Sequence, residues 1–309
     1  MKIVSVVGAR PQFIKCAVVS SEVRKVAEEI LVHTGQHYDR AMSDIFFDEL
    51  RLPTPDYHLE VGSGSHGWQT GQMLAKIEEV LTAEKPNWLL LYGDTNSTLA
   101  GALAAAKLHV KIAHVEAGLR SFNRAMPEEI NRVITDHLSS LLFCPSETAK
   151  RNLAREGIIQ GVHIVGDVML DVLTRALPVA ESRSRILSTL GLTKSRFLLA
   201  TIHRPENTDD EIRLANIARA FNSLDEPIIF PVHPRTRKMM EKNEVIWGPH
   251  VRLIDPVGYL DMIALERSAR IILTDSGGIQ KEAYWLGVPC VTLRDETEWV
   301  ETIEFGGNK

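Results

Sequence analysis

Several things are scarce in this chain of 309 residues, and each scarcity excludes a class. It has three cysteines, Cys16, Cys144 and Cys290, in apolar contexts, far apart and with no CxxC pair. An odd set of buried-looking thiols fits a reducing cytosol better than a disulfide framework. Apolar runs are far too short to span a bilayer. Met1 leads straight into a strand-like segment, so no signal peptide is expected and a cytoplasmic location is. Positive charge is not in excess: 35 Lys and Arg face 40 Asp and Glu, a net charge of -5. No global basic field draws the chain to nucleic acid or membrane, and an anionic ligand would need local cations. The first glycine turn lacks GxGxxG, so a standard nicotinamide fingerprint is missing there.

What is abundant is apolar runs that end on polar or glycine clusters. They lead into Gly8-Ala9-Arg10, His33-Thr34-Gly35-Gln36-His37, Gly93-Asp94-Thr95-Asn96, Glu116-Ala117-Gly118, His203-Arg204-Pro205-Glu206-Asn207, His233-Pro234-Arg235 and Asp275-Ser276-Gly277-Gly278. In an open parallel sheet the strand carboxyl ends share one edge, and ligands bind where strand order reverses. Strand-like runs at 2–8, 30–33, 88–92, 111–115, 141–145 and 162–165 alternate with helix-like stretches. This is the α/β signature. The rhythm pauses between Gly166 and Ser195, then resumes at 197–202, 227–232, 251–254, 270–274 and 288–293. Two doubly wound, Rossmann-like domains facing a cleft are expected, residues 1–170 and 171–309. The final turn-like residues, without a covering helix, make the second domain look truncated.

Gly8-Ala9-Arg10-Pro11 feeds a helix start, where free N–H groups and the helix dipole favour anions. Arg10 and Lys15 add charge a diphosphate would use; the plainer reading is a tight βα turn with a surface cation pair. Asp275-Ser276-Gly277-Gly278 is the second such turn. Ser276 could cap the helix and donate to phosphate, and Glu282, one turn in, could accept from ribose hydroxyls.

Asp94 and Glu116 end adjacent strand-like runs, and Glu128 and Glu129 open a helix behind Pro127. Such carboxylates serve as general acid and base if their pKa values are pushed apart. Asp94 equally suits an Asx-type cap, and for Glu129 capping is the preferred reading, with Arg132 as a partner. His203 and His233 end second-domain strands, where they could donate to phosphate or shuttle protons. His33 and His37 straddle Gly35 on a loop rather than a helix face, so no metal is expected.

Together these residues resemble the non-hydrolysing UDP-N-acetylglucosamine 2-epimerases. The matching segments are Gly8-Ala9-Arg10-Pro11 with Lys15, Thr34-Gly35-Gln36-His37-Tyr38, Gly93-Asp94-Thr95 and His114-Val115-Glu116-Ala117-Gly118-Leu119-Arg120. They continue through Pro127-Glu128-Glu129-Ile130-Asn131-Arg132, His203-Arg204-Pro205-Glu206-Asn207, Pro231-Val232-His233-Pro234 and Asp275-Ser276-Gly277-Gly278-Ile279-Gln280. The resemblance implies a glycosyltransferase B type fold, a cytoplasmic homodimer without cofactor, and a role in cell-surface polysaccharide biosynthesis. It implies epimerisation of UDP-GlcNAc to UDP-ManNAc by elimination and re-addition of UDP. Asp94, Glu116, Glu128 and His203 would be catalytic; Arg10, Lys15, His233, Ser276, Gly277, Gly278 and Glu282 would hold the substrate.

The chain departs from the family pattern in stopping short of other members and in its tail, Thr297-Glu298-Trp299-Val300-Glu301. Trp68-Gln69 replaces an Arg-Gln often found in bacterial members, which argues against activation by substrate. Alternatives are a 2-epimerase of a diacetamido UDP-sugar, a hydrolysing epimerase, a glycosyltransferase of the same fold, or a non-catalytic nucleotide-sugar binder.

Overall fold

The structure, a computed structural model, describes residues 1–36, 52–295 and 306, with the backbone alone at Arg10. His37, Tyr38 and the tail 297–301 lie outside the described residues. The chain divides into two compact units, Met1–Val172 and Leu173–Lys309.

The first unit holds a seven-stranded sheet in the order β3-β2-β1-β4-β5-β6-β7. Its strands are β1 (Lys2–Val7), β2 (Glu28–His33), β3 (Tyr57–His58), β4 (Trp88–Tyr92), β5 (Lys111–Val115), β6 (Leu141–Cys144) and β7 (Val162–Ile164). Each pairing is parallel, with Val4 opposite Ile30 of β2 and Leu89 of β4. Strands covered on both faces read as continuous apolar runs, which is why β1 and β4 were visible in the sequence. Helices α1 (Arg10–Val23), α2 (His66–Glu84), α3 (Asn96–Lys107), α4 (Pro127–Leu138) and α5 (Glu147–Arg155) intervene. One face packs Val4, Val6, Leu89 and Leu91 with Met73, Ile77 and Ala100; the other packs Val7, Leu90 and Tyr92 with Phe13 and Cys16. The small residues of α3 allow close approach to the sheet: a Cβ at Gly101 would stand 2.8 Å from Leu91 Cδ2.

Helix α6 (Val168–Arg183) runs across the division, followed by α7 (Ile186–Leu190). The second unit holds a five-stranded parallel sheet ordered β10-β9-β8-β11-β12. Its strands are β8 (Leu198–Thr201), β9 (Ile228–Pro231), β10 (Val251–Ile254), β11 (Ile271–Thr274) and β12 (Cys290–Thr292). Between them lie α8 (Pro205–Thr208), α9 (Glu211–Asn222), α10 (Pro234–Lys242), α11 (Tyr259–Ser268) and α12 (Gly277–Leu286). The period of two along β8 is plain. Leu198 and Ala200 face a cluster with Phe221 and Phe230, whereas Phe197 and Leu199 face one with Leu265 and Ile272. Among the described residues no helix is long and apolar enough to cross a membrane.

Strand order reverses between β1 and β4 in the first unit and between β8 and β11 in the second. The carboxyl ends there carry Gly8, Gly93-Asp94, His203 and Asp275-Ser276.

Candidate active site

At the first unit's reversal point the Gly8 turn is built differently from the expected anion cradle. Gly8 and Ala9 N–H groups already donate to Gln12 Oε1, at 2.8 and 3.1 Å. This is the N3 glutamine of a capping box reaching back over the helix start. Gln12 Nε2 in turn donates to Tyr92 O (2.8 Å) and Thr98 Oγ1 (3.0 Å), so a buried side chain locks the β1 turn to the end of β4. Glycine is needed at position 8 because a Cβ would lie 2.1 Å from Thr34 Oγ1 and 2.2 Å from Ser97 Oγ. Neither is a ligand's demand, so free N–H groups are not what this turn offers. Sequence reading missed Gln12, although a Gln at N3 is the visible half of that motif.

Lys15, one helical turn on, points back at the strand ends and pairs with the Glu116 carboxylate. Both side chains are nearly buried. Burial alone would pull the Lys15 ammonium down, but Glu116, with Asp94 and Asp167, outweighs it and holds Lys15 above its ordinary range. Glu116 sits just past β5 with φ 70°, a left-handed conformation that costs a non-glycine residue energy and persists only when its surroundings impose it. Gly93, at φ 61°, ends β4 beside it; a Cβ there would be 3.5 Å from both Glu116 Oε2 and Lys15 Nζ.

Asp94 follows, its side chain about one-third exposed at 32%. It is not the cap of α3: Thr95 takes that position and accepts from Thr98 N. The Asp94 carboxylate is left to accept from Arg132 Nη2 at 2.6 Å. Arg132 Nη1 lies 3.2 Å from Glu129, whose carboxylate also accepts from the Ser121 and Phe122 N–H groups. Asn131 Nδ2 donates to the Asp94 carbonyl at 2.9 Å. Helix α4 therefore aims two consecutive side chains at Asp94. Glu128, in its first turn, is exposed. Asp94, Glu116, Lys15 and Arg132 thus form one charged cluster at the ends of β4 and β5. His33 is used otherwise: its ring stacks on Phe13 and His58, and burial with the neighbouring His58 lowers it to about 4.

In the second unit the reversal point is organised by Asp275, which is fully buried. It accepts from the His203 N–H (3.1 Å), the Arg204 N–H (3.0 Å) and Asn207 Nδ2 (3.1 Å). His203 Nδ1 lies 3.0 Å from it, with the ring half exposed. Burial pushes the Asp275 carboxyl up, yet the His203 contact and the backbone donors prevail and hold it below its ordinary value. Ser276 caps α12, accepting from Ile279 N at 3.5 Å, and Gly277 and Gly278 form the first turn, whose N–H groups have no intrahelical acceptor. Glu282, buried on α12, accepts from the Tyr259 hydroxyl at 3.0 Å. His233 caps α10 through its ring, accepting from Arg235 N at 3.3 Å. Asp275 and Tyr259 were absent from the predicted site; each acts through a partner distant in sequence.

Two parallel-sheet α/β units thus carry, at their reversal points, paired carboxylates and cations in one and a capped glycine turn in the other. The profile of the family described as UDP-N-acetylglucosamine 2-epimerase matches residues 21–309. A UDP-N-acetylglucosamine 2-epimerase homolog from Methanococcus maripaludis is 62% identical, across all of this chain and 88% of that protein. The UDP-2,3-diacetamido-2,3-dideoxy-D-glucuronate 2-epimerase of Pseudomonas aeruginosa is 53% identical across all of this chain and 87% of its own. The crystal structure of Methanocaldococcus jannaschii UDP-GlcNAc 2-epimerase, in complex with UDP-GlcNAc and UDP, superposes with a TM-score of 0.91. It shares 47% identity over all of this chain and 88% of that one. The chain belongs to the UDP-N-acetylglucosamine 2-epimerase family.

Proposed function

We propose that this chain interconverts UDP-GlcNAc and UDP-ManNAc without hydrolysing them. The observation that carries the reading is the cluster in which Lys15 pairs with Glu116 and Arg132 with Asp94, at the ends of adjacent strands. The C2 hydrogen of the hexose has no neighbouring carbonyl, so removing it directly would be very slow. Departure of UDP from C1 changes that, because positive charge building at C1 acidifies C2 and leaves 2-acetamidoglucal. UDP then adds back while the proton returns to the other face.

Asp94, Glu116 and Glu128 are the groups for this proton traffic and for the charge at C1. The Lys15 ammonium and the Arg132 guanidinium pair with two of the three, Glu116 and Asp94. His203, Ser276, Gly277 and Gly278 would hold the departing diphosphate, Glu282 the ribose hydroxyls, and Arg10 and His233 further oxygens of the substrate. The relatives' names support the substrate class. A cytoplasmic homodimer supplying a precursor for cell-surface polysaccharide completes the proposal.

Incubation with UDP-GlcNAc in deuterated water should place deuterium at C2 of both UDP-sugars. An unlabelled sugar after prolonged incubation would reject the reading, and release of free ManNAc would reassign the enzyme as hydrolysing. A second reading, epimerisation of a diacetamido UDP-sugar, is favoured by the 53% identity to the Pseudomonas aeruginosa protein, above the 47% to the Methanocaldococcus jannaschii enzyme. Parallel exchange assays on the two sugars separate these. A glycosyltransferase would transfer to an acceptor with little exchange at C2, and has no use for a base there.

A further inference from the structure

His114 lies on β5, two residues before Glu116, and is completely buried. Its Nε2 stands 2.7 Å from the Gly93 carbonyl oxygen, and its Nδ1 stands 2.7 Å from Asp136 Oδ1. A carbonyl oxygen only accepts, so Nε2 must carry a proton. The other contact has two solutions: a protonated Nδ1 facing a carboxylate, or a bare Nδ1 facing a carboxylic acid.

The surroundings of Asp136 decide between them. Its second oxygen accepts from Arg120 Nη1 at 2.7 Å and from the Gly118 N–H at 3.1 Å. A guanidinium and an amide on one oxygen favour the anion. Burial pushes the Asp136 carboxyl up, but His114 and Arg120 outweigh it and hold it below its ordinary value. Arg120 is itself forked onto Glu156, with Nε and Nη2 each 2.7 Å from a carboxylate oxygen. Glu156 is part-exposed and also has His137 Nε2 at 3.6 Å, whereas Asp136 is fully enclosed. With a neutral ring the Asp136 carboxylate would share Arg120 with Glu156 and lose the cation on its other oxygen, which is costly for an enclosed charge.

We propose that His114 is a positioning residue: an imidazolium, buried beneath the site, that fixes the Gly93–Asp94 peptide and the end of β5 for proton transfer. This rests on the roles proposed above for Asp94 and Glu116. The Gly93 carbonyl it holds belongs to the residue before Asp94, in a left-handed turn. The Gly93 N–H donates to the Val115 carbonyl at 3.0 Å, one residue before Glu116. A single ring thereby staples the two turns that carry both carboxylates. It also sets a positive charge against the Gly93 carbonyl, one peptide from Asp94. A neutral amide in its place could keep one hydrogen bond but neither the second donor nor the charge.

Nitrogen-15 NMR of the intact, histidine-labelled protein tests the charge directly. The His114 signals, assigned by their loss in His114→Gln, should show both ring nitrogens protonated at neutral pH. In Asp136→Asn one of them should lose its proton. A neutral tautomer in the parent protein overturns the proposal, whatever the enzyme's activity. In the exchange assay with UDP-GlcNAc, His114→Gln should lose kcat by about 100-fold, the scale set by small misplacements of reacting groups. Its affinity for UDP should stay unchanged. Turnover at the parent level in a folded His114→Gln protein also overturns the proposal. Absence of exchange in the parent protein would instead refute the epimerase reading, with the NMR result deciding the imidazolium by itself.

Discussion

Arg132 shows how little of a site one residue type reveals until its partners are known. In sequence it is a cation four residues after Glu128, suited to pairing within its own helix. In the structure it spans Glu129 and, across to another strand end, Asp94. Replacing Arg132 by Met should abolish most turnover and cost about 3–5 kcal/mol of stability, the usual penalty for stranding a buried partner charge. Urea unfolding of the variant beside its exchange rate checks both halves, and a fully active Arg132→Met protein would remove Arg132 from Asp94's orientation. Residue identity thus made Asp94 and Glu116 legible as candidates, since strand-end carboxylates stand out. The residues that order the two sites were not: Gln12 reaches Thr98, Arg132 reaches Asp94 and Tyr259 reaches Glu282, across 86, 38 and 23 positions.

At the scale of elements, the β-strand series was readable because buried parallel strands are apolar on both faces. β3 was not, for two residues, Tyr57 and His58, carry no period. The two glycine turns looked alike in sequence and differ in construction. In the first, Gly8→Ala should push against Thr34 and Ser97 and destabilise by about 1–3 kcal/mol, as overpacked interiors do. A thermal melt matching the parent's would show that the two hydroxyls can yield. In the second turn the helix start remains available to a ligand. Ser276→Ala should weaken UDP binding by about 1–3 kcal/mol, the range for a charge-assisted hydrogen bond, while losing a helix cap. Titration calorimetry with UDP is the check, and unaltered affinity would take Ser276 out of the diphosphate site.

For the whole molecule, acid and alkaline sensitivity come from different buried carboxyls. Asp136 is held below its ordinary 3.8, so its contribution is complete above that value and is lost as pH falls through the lower folded one. Glu266 runs the other way. It is fully buried, neither carboxyl oxygen has a hydrogen-bond partner, and burial, with the Glu282 charge, pushes it far above 4.5. The folded state then keeps a proton that the unfolded chain has released, and stability falls as pH rises past 4.5 toward the folded value. Glu266→Gln should therefore raise Tm in mildly alkaline buffer, and the gain should shrink as pH is lowered toward 4.5. A gain that is the same at every pH would contradict the neutral acid.

The three thiols supply a clock for motions too rare to see otherwise. Cys16 and Cys144 are wholly enclosed in the first unit and Cys290 is 3% accessible in the second. Burial drives all three upward, Cys144 and Cys290 to about 12, so almost no thiolate is present for an alkylating reagent. Modification must wait for local opening, and its rate at each sulfur measures how often that part of the chain comes apart. Mass spectrometry of peptides after a pulse of iodoacetamide should show each unit opening on its own schedule, and immediate labelling of the native protein would mean the interiors are looser than drawn.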